Sequence, residues 1–437
     1  MSTNLPPGSE GLPLLGETLS FARDPFLFFA ERAERHGPVF RTNLLGRKTI
    51  CLSGPEAFEC STRDELFQRQ GASPASWQEL LSPGAVPFLD GDAHRIRKRL
   101  LLQAVGPKAL PNFLPTLVQL VDAALERAAG REVSFVDEAA DLAFRVTETL
   151  FAAGDPQRPT AELRQAFDEF TQGIFAPAVP LPFSKYSGAR RASALLRRRF
   201  LERIALRRAQ PAGDVLSGLL QAEVEGVRLS DDEAAAETLH FFFAAYAGLA
   251  TLLADLMLAL TQHDDVRAAA EAEVAQVLAG RAPAMDDFAA LAHCGRIARE
   301  VRRLYPVIPF TFFATARQDV AIVGHTIPAG WQVMGLTWQT SRDPKVFRDP
   351  TRFDPDRFAP GRDEGSSSPS AYVPQGGGPP DGHRCAGEAL TQMLLTVLAA
   401  RACGHWRWTA PPQDFSLNMR LPPPRPRDGL RLTLTRR

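Results

Sequence analysis

One cysteine near the C-terminus lies in a loop of glycines and cationic residues, and this loop constrains the chain more than any other segment. Residues 373–388 read Val-Pro-Gln-Gly-Gly-Gly-Pro-Pro-Asp-Gly-His-Arg-Cys-Ala-Gly-Glu, and a helical pattern from Ala389 to Cys403 follows directly. Glycine lets the backbone approach a metal or a flat cofactor closely. Cations and a helix N-terminus stabilise an anionic sulfur. The loop therefore predicts that Cys385 is a thiolate ligand.

A single thiolate held in this way is typical of a haem iron ligand. Such a proximal thiolate pushes electron density towards O–O bond cleavage. The cysteines are odd in number, scattered and without a CxxC pair, which argues against a disulfide framework and against zinc. They are Cys51, Cys60, Cys294, Cys385 and Cys403. The sequence therefore predicts haem b (iron protoporphyrin IX) with Cys385 as the metal ligand.

Bulk composition excludes several other classes of protein. The chain has 437 residues and a formal net charge of zero, so nothing points to nucleic acid or an anionic membrane surface as a partner. Residues 1–24 lack the charged and apolar stretches of a signal peptide. The most apolar run, 241–254, is shorter than the roughly 20 residues that span a bilayer, and we interpret it as a buried helix. We expect a cytoplasmic protein without a membrane span.

Hydrophobic periodicity predicts a mainly α fold with a minor β portion. We expect one domain over residues 1–437, with a Pro/Gly-rich lead-in over 1–20. The pattern favours a hairpin over 39–53, strands within 309–333 and strands over 406–437. Helices are predicted at about 25–35, 93–104, 114–128, 135–153, 160–175, 188–208, 231–262, 264–279 and 285–304.

A Glu-x-x-Arg pair lies 82 residues before the cysteine. Glu300 and Arg303 are three residues apart, which places them on one helix face. Such a pair is usually an exposed salt bridge. Here it is followed by Tyr-Pro, a strand-rich segment and the sequence Phe-Asp-Pro-Asp-Arg-Phe, in which Arg357 can complete a Glu–Arg–Arg network beneath a cofactor.

The Glu-x-x-Arg helix, the Phe-Asp-Pro-Asp-Arg-Phe segment and the cysteine loop, in this order and spacing, resemble cytochrome P450. The resemblance covers nearly the whole chain and implies the cytochrome P450 fold. The loop itself looks like the fatty-acid peroxygenase branch, because Gln375 replaces the usual phenylalanine and three extra residues precede His383. Residues 66–72 and 89–98 resemble the N-terminal half of the same branch.

The resemblance also implies which residues hold the haem propionates. His94 and Lys98 are four residues apart on one helix face, and His383 is a further candidate. Anionic propionates suit donor and cationic side chains.

The central helix departs from both patterns known for this family. Aligning it with the common pattern puts Ala247 and Gly248 where an acid–alcohol pair usually relays protons. A rival alignment retains Thr251 but still lacks the acid. The peroxygenase branch has an Arg-Pro pair here, and this chain has no arginine between Arg228 and Arg267. A fatty-acid carboxylate would thus lack its usual anchor, and small residues leave room for a bulkier, more neutral substrate.

We expect the chain to be a haem-thiolate oxidoreductase that hydroxylates or otherwise oxidises an apolar small molecule or fatty-acid-like substrate. The oxidant is either hydrogen peroxide or dioxygen with a ferredoxin- or flavodoxin-type redox partner. The alternatives are a haem-thiolate isomerase, lyase or dehydratase, and a catalytically silent haem-binding protein. The predicted substrate pocket consists of Pro87, Phe241, Tyr246, Phe310, Thr311 and Phe312.

Overall fold

The computed structural model describes residues 4–155, 160–420 and 423–437. Helices make up most of this structure and form the largest of its hydrophobic core clusters. They are α1 (Thr18–Arg23), α2 (Pro25–His36), α3 (Pro55–Cys60), α4 (Ala75–Leu81), α5 (Gly91–Val105), α6 (Leu110–Ala128), α7 (Phe135–Phe151), α8 (Ala161–Ile174), α9 (Lys185–Ala209), α10 (Val215–Gln221), α11 (Asp231–Gln262), α12 (Asp264–Leu278), α13 (Ala292–Leu304), α14 (Thr337–Thr340) and α15 (Glu388–His405).

The strands are short and lie in small sheets at the periphery of the helices. They are β1 (Val39–Leu44), β2 (Arg47–Leu52), β3 (Phe67–Gln68), β4 (Glu132–Ser134), β5 (Ala314–Ala316), β6 (Val320–Ile322), β7 (His325–Ile327), β8 (Gln332–Gly335), β9 (Trp406–Thr409), β10 (Leu417–Asn418), β11 (Arg425–Pro426) and β12 (Arg431–Arg436). The largest sheet has the order β1-β2-β8-β5-β3 and the next has the order β4-β12-β9, while β6-β7 and β10-β11 are two-stranded. The mainly α fold with minor β structure is thus confirmed.

The pairing of β2 with β8 brings together two distant parts of the chain. These strands run parallel, with Thr49 opposite Gln332 and Leu52 opposite Gly335, whereas β5 pairs with β8 in the antiparallel sense. Consequently the segment between α13 and β5, which holds Phe310, Thr311 and Phe312, is fixed against the N-terminal sheet.

Helix α11 is the central element of the fold. Its first turn is closed by a capping box, in which Ser230 and Glu233 satisfy each other's backbone N–H groups. It packs mainly on α7 and also contacts α9, α13 and α15. By length and composition α11 could cross a membrane, although 67% of its most apolar stretch is buried inside the protein. The apolar run 241–254 lies within this helix.

The sequence pattern missed the short helices α3, α4 and α10. Each has six or seven residues, which is less than two helical turns. A hydrophobic period of 3.6 residues is not resolvable over so short a stretch, and these helices form because neighbouring elements bury their apolar side chains.

One acidic residue of α11 is buried without a hydrogen-bond partner in the described part of the chain. Asp255 is 1% exposed, and neither of its carboxylate oxygens has a hydrogen-bond partner among the residues that the structure describes. Burial raises the pKa of Asp255 well above its ordinary value of 3.8. The carboxyl group therefore keeps its proton in the folded protein over a pH range in which the unfolded chain loses it.

We expect Asp255→Asn to raise the free energy of unfolding at pH 7 by about 1 to 3 kcal/mol, because it removes an unpaired buried acid. The native contribution of Asp255 is complete below pH 3.8 and declines as the pH rises towards the folded-state pKa. The gain should therefore shrink as the pH is lowered towards 4. Urea unfolding at several pH values measures this, with the exposed Asp286→Asn as the control, and an equal gain at every pH would contradict the prediction.

Candidate active site

The Cys385 loop folds back on itself so that the thiol is exposed at its rim. Of the five cysteines, all are free and Cys385 is the exposed one. Its backbone N–H donates to the carbonyl oxygen of Gln375 at 3.1 Å, and the Gln375 side-chain Nε2 lies 3.6 Å from Sγ. Gly376 and Gly378 adopt φ angles of +87° and +81°, which favour glycine. Gln375 thus closes the loop and offers its N–H group to the sulfur.

A charged network fixes the loop to the helices beneath it. Arg384 Nε donates to Glu388 Oε2 at 2.6 Å, and Arg302 Nη2 donates to Glu388 Oε1 at 2.8 Å. Burial raises the pKa of Glu388, but the hydrogen bond from Arg384 and the charge of Arg302 outweigh it, so that the pKa is lowered overall. The sequence analysis did not single out Arg302 or Glu388, although the i, i+4 spacing of Arg384 and Glu388 was visible.

Glu300, Arg303 and Arg357 form one buried network, as their pattern suggested. Arg303 donates two hydrogen bonds to Glu300, of 2.7 and 2.8 Å, and Arg357 Nε donates to Glu300 Oε1 at 3.0 Å. All three side chains are fully buried. Arg357 also pairs with Glu364 at 2.6 Å. The network therefore joins α13 to the 350–364 segment that precedes the cysteine loop.

His94, Lys98 and His383 meet on one side of the cysteine loop. The rings of His94 and His383 stack with centroids 3.8 Å apart, and Lys98 donates to the carbonyl oxygen of Arg384. A fourth residue, Arg69, joins them from the segment after β3, where it donates to the carbonyl oxygens of Phe312 at 3.2 Å and Ser61 at 3.0 Å. We call these four residues the cationic cradle. No local pattern in the sequence marks Arg69.

The electrostatics of the cationic cradle favour an anionic group. Burial, together with Lys98 and Arg69, lowers the pKa of His94 to about 4. Burial also lowers the pKa values of His383, Lys98 and Arg69. His383 Nε2 and Arg69 Nε are buried without a hydrogen-bond partner in the described part of the chain. Unpaired buried donors are costly, so the donors of this cradle fit the two anionic propionates of a haem.

Asp64 lies beside the cradle as an acidic neighbour. Its Oδ1 is 3.6 Å from His383 Nε2, and burial raises the pKa of this carboxyl group. A more readily protonated Asp64 reduces the repulsion that an incoming carboxylate would meet.

Residues 243–250 of α11 form a strip that is less buried than the residues on either side of it. Ala244 is exposed and residues 243, 245–248 and 250 are partly exposed, whereas the residues before and after them are buried. A Cβ added to Gly248 would meet no atom within 4 Å. Thr251 is 5% exposed, and its hydroxyl donates to the carbonyl oxygen of Ala247 at 3.0 Å. Ala247 and Gly248 thus offer no acid or alcohol, and the alcohol of Thr251 is bonded to the helix backbone.

The pocket residues outside α11 lie on two loops that contact each other. Pro87 is buried in a short helical turn, Val86–Phe88, and the ring of Phe88 lies 6.4 Å from that of Phe312. Phe310 packs on Phe21 and Phe29, with centroids 5.7 Å apart in both cases. Thr311 uses its hydroxyl to accept from the backbone N–H of Gly335 at 3.0 Å.

Phe241 and Tyr246 do not join the other predicted pocket residues. The ring of Phe241 contacts Phe151 of α7, with centroids 5.4 Å apart. Tyr246 contacts Phe144 of α7 at 6.4 Å and Phe167 of α8 at 5.1 Å. The structure therefore places both rings between α11 and its neighbouring helices.

An aromatic run links the strip on α11 to the protein surface. The ring of Phe243 lies 6.2 Å from that of Phe175, and Phe175 lies 5.5 Å from Trp77. Phe175 is 59% exposed, and Phe183, further along the same loop, is completely exposed. Apolar side chains thus extend from the strip on α11 to solvent.

We expect Glu300→Gln to cost about 3 to 5 kcal/mol of folding free energy, because it leaves two buried guanidinium groups without their carboxylate. Chemical unfolding of the haem-loaded protein measures this cost. The control is Glu225→Gln, whose side chain is 51% exposed in its pair with Arg95 and should change stability by less than about 0.5 kcal/mol. Equal effects of the two substitutions would contradict a structural role for the network.

We expect Arg69→Gln to weaken haem binding by roughly 10- to 100-fold, the range of one lost charge-assisted hydrogen bond. Haem transfer to an excess of apomyoglobin measures the change. Arg317→Gln is the matched control, since Arg317 is 37% exposed and pairs with Asp90 at 3.7 Å. Unchanged haem retention in the Arg69 variant would exclude Arg69 from the propionate site.

Comparison with known sequences identifies the family. The family model "Cytochrome P450" matches residues 6–154 and 157–425. The chain is 33% identical to the putative cytochrome P450 120 of Synechocystis sp., over 99% of this chain and 97% of that protein. It is 32% identical to abscisic acid 8'-hydroxylase 3 of Oryza sativa, over 93% and 82% of the respective chains.

Comparison with solved structures identifies the same family. Retinoic acid-bound cyanobacterial CYP120A1 superposes with a TM-score of 0.91 at 32% identity, over 100% of both chains. Cytochrome P450EX alpha (CYP152N1) with myristic acid, a peroxygenase structure, gives a TM-score of 0.80 at 26% identity, over 99% of this chain and 100% of that chain. The peroxygenase branch is thus the less similar of these two and is not confirmed as the nearest branch. The chain belongs to the cytochrome P450 family, and it is a haem b-dependent monooxygenase.

Proposed function

We propose that this cytochrome P450 hydroxylates an apolar molecule that it recognises by its hydrocarbon body. The observation that carries the proposal is the less buried strip 243–250 on α11, which we propose to border the substrate space. No charged residue lies between Glu237 and Asp255 in the sequence, and the partly exposed residues of the strip are small or aromatic. A substrate in this space meets apolar surface, which stabilises it in proportion to the area buried.

Relatives indicate a substrate class. CYP120A1 has been solved with retinoic acid, another relative is an abscisic acid hydroxylase, and P450EX alpha has been solved with myristic acid. These three molecules share an apolar body that carries one carboxyl group. Since α11 has no arginine or lysine, we propose a substrate of this size whose carboxyl group, where present, is not anchored on α11.

The proximal residues have distinct proposed roles. Cys385 is the iron ligand, and the Gln375 side-chain N–H moderates the charge of its thiolate. Glu300, Arg303 and Arg357 hold the cysteine loop in position. His94, Lys98, His383 and Arg69 bind the propionates. Haem, when bound, supplies the oxidising chemistry. These residues orient the haem and protect the Cys385 thiolate from side reactions.

We further propose one catalytic domain over residues 1–437, located in the cytoplasm.

We propose hydrogen peroxide as the oxidant. The cysteine loop resembles that of the peroxygenase branch. Neither alignment of α11 supplies a complete acid–alcohol pair for dioxygen: one places Ala247 and Gly248 there, and the other retains Thr251 without the acid. The overall reaction is R–H + H₂O₂ → R–OH + H₂O, which needs no external electrons. Dioxygen with a ferredoxin- or flavodoxin-type partner is the alternative that the experiment below distinguishes.

We expect Cys385→Ala to abolish the thiolate-type carbon monoxide spectrum, because no other described cysteine is exposed. Reduced, carbon monoxide-treated protein is measured by absorbance. The control is Cys60→Ala, a half-buried thiol that should leave the spectrum unchanged. A persisting thiolate-type band in the Cys385 variant would refute the ligand assignment.

We expect retinoic acid and its methyl ester to be hydroxylated with peroxide alone, with KM values that differ by less than about tenfold, since a lost ionic anchor would cost about 1.4 kcal/mol or more. Product analysis by mass spectrometry measures both reactions, and a parallel assay supplies dioxygen with a reduced ferredoxin. Turnover only in the second assay would overturn peroxide as the oxidant. Loss of the ester reaction alone would indicate a carboxylate anchor.

A further inference from the structure

A surface pocket lies beside the five-stranded sheet, outside the site described above. Its volume is about 510 Å³, which is within the range of small-molecule binding sites. Strands β2, β3 and β5 supply part of its wall, and the loops next to β3 and β8 supply the rest. The described lining residues include two cations, two glutamines and a tryptophan but no acid. They are Arg47, Lys48, Gln68, Gln70, Gly71, Thr315, Gly330 and Trp331.

One stretch of backbone separates this pocket from the cationic cradle. The side chain of Arg69 donates to the carbonyl oxygens of Phe312 and Ser61. The next two residues, Gln70 and Gly71, line the pocket instead. None of the four cradle residues is among those that line it. The pocket is therefore a second site and not an extension of the proposed propionate site.

Both cations of the pocket contact neutral groups. Arg47 donates to the carbonyl oxygens of Gly71 and Ala72, at 3.3 Å in both cases. The Lys48 ammonium lies 5.1 Å from the centre of the Trp331 ring. Neither cation forms an ion pair with an acidic residue that the structure describes. Their positive charge is therefore available to an anion.

A row of polar side chains crosses the sheet and ends in the pocket. Thr49 lies opposite Gln332, and Gln332 lies opposite Thr315. Thr315 in turn lies opposite Gln68, and residues that oppose each other on neighbouring strands point to the same face of a sheet. Arg317 Nη1 donates to Gln68 Oε1 at 3.5 Å, which leaves the amide NH₂ group of Gln68 as a donor. The sheet thus offers neutral donors beside the two cations.

The acidic residues near the pocket are engaged by other groups. The carboxylate of Asp90 accepts from the backbone N–H groups of residues 69 and 70, at 2.8 and 2.9 Å, and lies 3.7 Å from Arg317 Nη2. Asp319 accepts from the backbone N–H of Ala329 at 2.8 Å. Neither carboxylate lines the pocket. The pocket therefore carries an excess of positive charge, which attracts an anion.

We propose that this pocket binds a planar aromatic anion, such as an aromatic carboxylate. Arg47 and Lys48 bind the carboxylate through charge-assisted hydrogen bonds. The Gln68 amide and the Thr315 hydroxyl supply neutral donors, and the Trp331 indole supplies an apolar wall for the aromatic ring. This binding site depends neither on the proposed oxidation nor on its oxidant.

The test uses terephthalate, a planar dianion whose charges disfavour an apolar substrate space. We expect terephthalate to bind the haem-loaded protein at one site without shifting the haem absorbance. Arg47→Gln should weaken this binding by about tenfold or more, the effect of one lost charge-assisted hydrogen bond. Lys48→Gln should weaken it in the same way. Isothermal titration calorimetry measures the affinity and stoichiometry, and absorbance spectroscopy monitors the haem.

Further variants separate recognition of the anion from a structural effect. Lys108→Gln is the matched control, since Lys108 is an exposed cation outside the pocket, and it should leave the affinity unchanged. Arg47→Lys retains the charge and should recover part of the affinity. Trp331→Leu removes the aromatic wall and should weaken binding by about threefold. Because Arg47 also holds the backbone of residues 71–72, thermal unfolding of its variants verifies that they are folded.

Several outcomes would overturn the proposal. One is the absence of terephthalate binding at millimolar concentration, and another is equal affinity in the wild-type, Arg47→Gln and Lys48→Gln proteins. Equally tight binding of terephthalamide, the neutral analogue, would show that the pocket does not select an anion. A shift in haem absorbance that persists in the variants would place the ligand in the substrate space. None of these results bears on peroxide turnover, so this inference and the proposed function fail separately.

Discussion

The burial of one carboxylate between two arginines is the interaction on which the rest of the site depends. Glu300 is shared by Arg303 and Arg357, and none of the three side chains is exposed. A buried ion pair is stable only when its remaining donors and acceptors are satisfied. Arg303 and Arg357 meet this requirement by donating to backbone carbonyl oxygens of residues 341–352. The network therefore fixes the backbone of the segment that leads to the cysteine loop.

The two sides of the proposed haem site differ in chemical character. On the proximal side, hydrogen bonds and ion pairs hold Cys385 and the cationic cradle in a defined geometry. On the distal side, α11 offers small and aromatic residues, and the hydroxyl of Thr251 donates to a carbonyl oxygen of the helix backbone. A rigid polar proximal side and an apolar distal side suit a reaction in which the cofactor supplies the reactivity and the protein determines which substrate fits.

Sequence reasoning succeeded where a short motif fixes a local geometry. The spacing of Glu300 and Arg303 placed them on one face, and the glycines around Cys385 predicted a tight loop. It succeeded less well for aromatic residues. Phe241 and Tyr246 were predicted to line the pocket. The structure packs the ring of Phe241 against α7 and the ring of Tyr246 against α7 and α8. On a helix that is apolar on all sides, the sequence does not indicate which side faces a cavity.

The sequence by itself determined the family and the absence of a charged residue between Glu237 and Asp255, and it predicts Cys385 as the thiolate ligand, because each depends on residue identity at fixed spacing. Only the tertiary structure brought Arg69 to His94 and His383, since these residues lie on three separate segments and no periodicity relates them. The same holds for the contacts of Glu237 with Val86 and Arg97, which lie in the turn before α5 and on α5 itself. Contacts between distant segments are decided by how helices pack, and the chain's local patterns do not encode that packing.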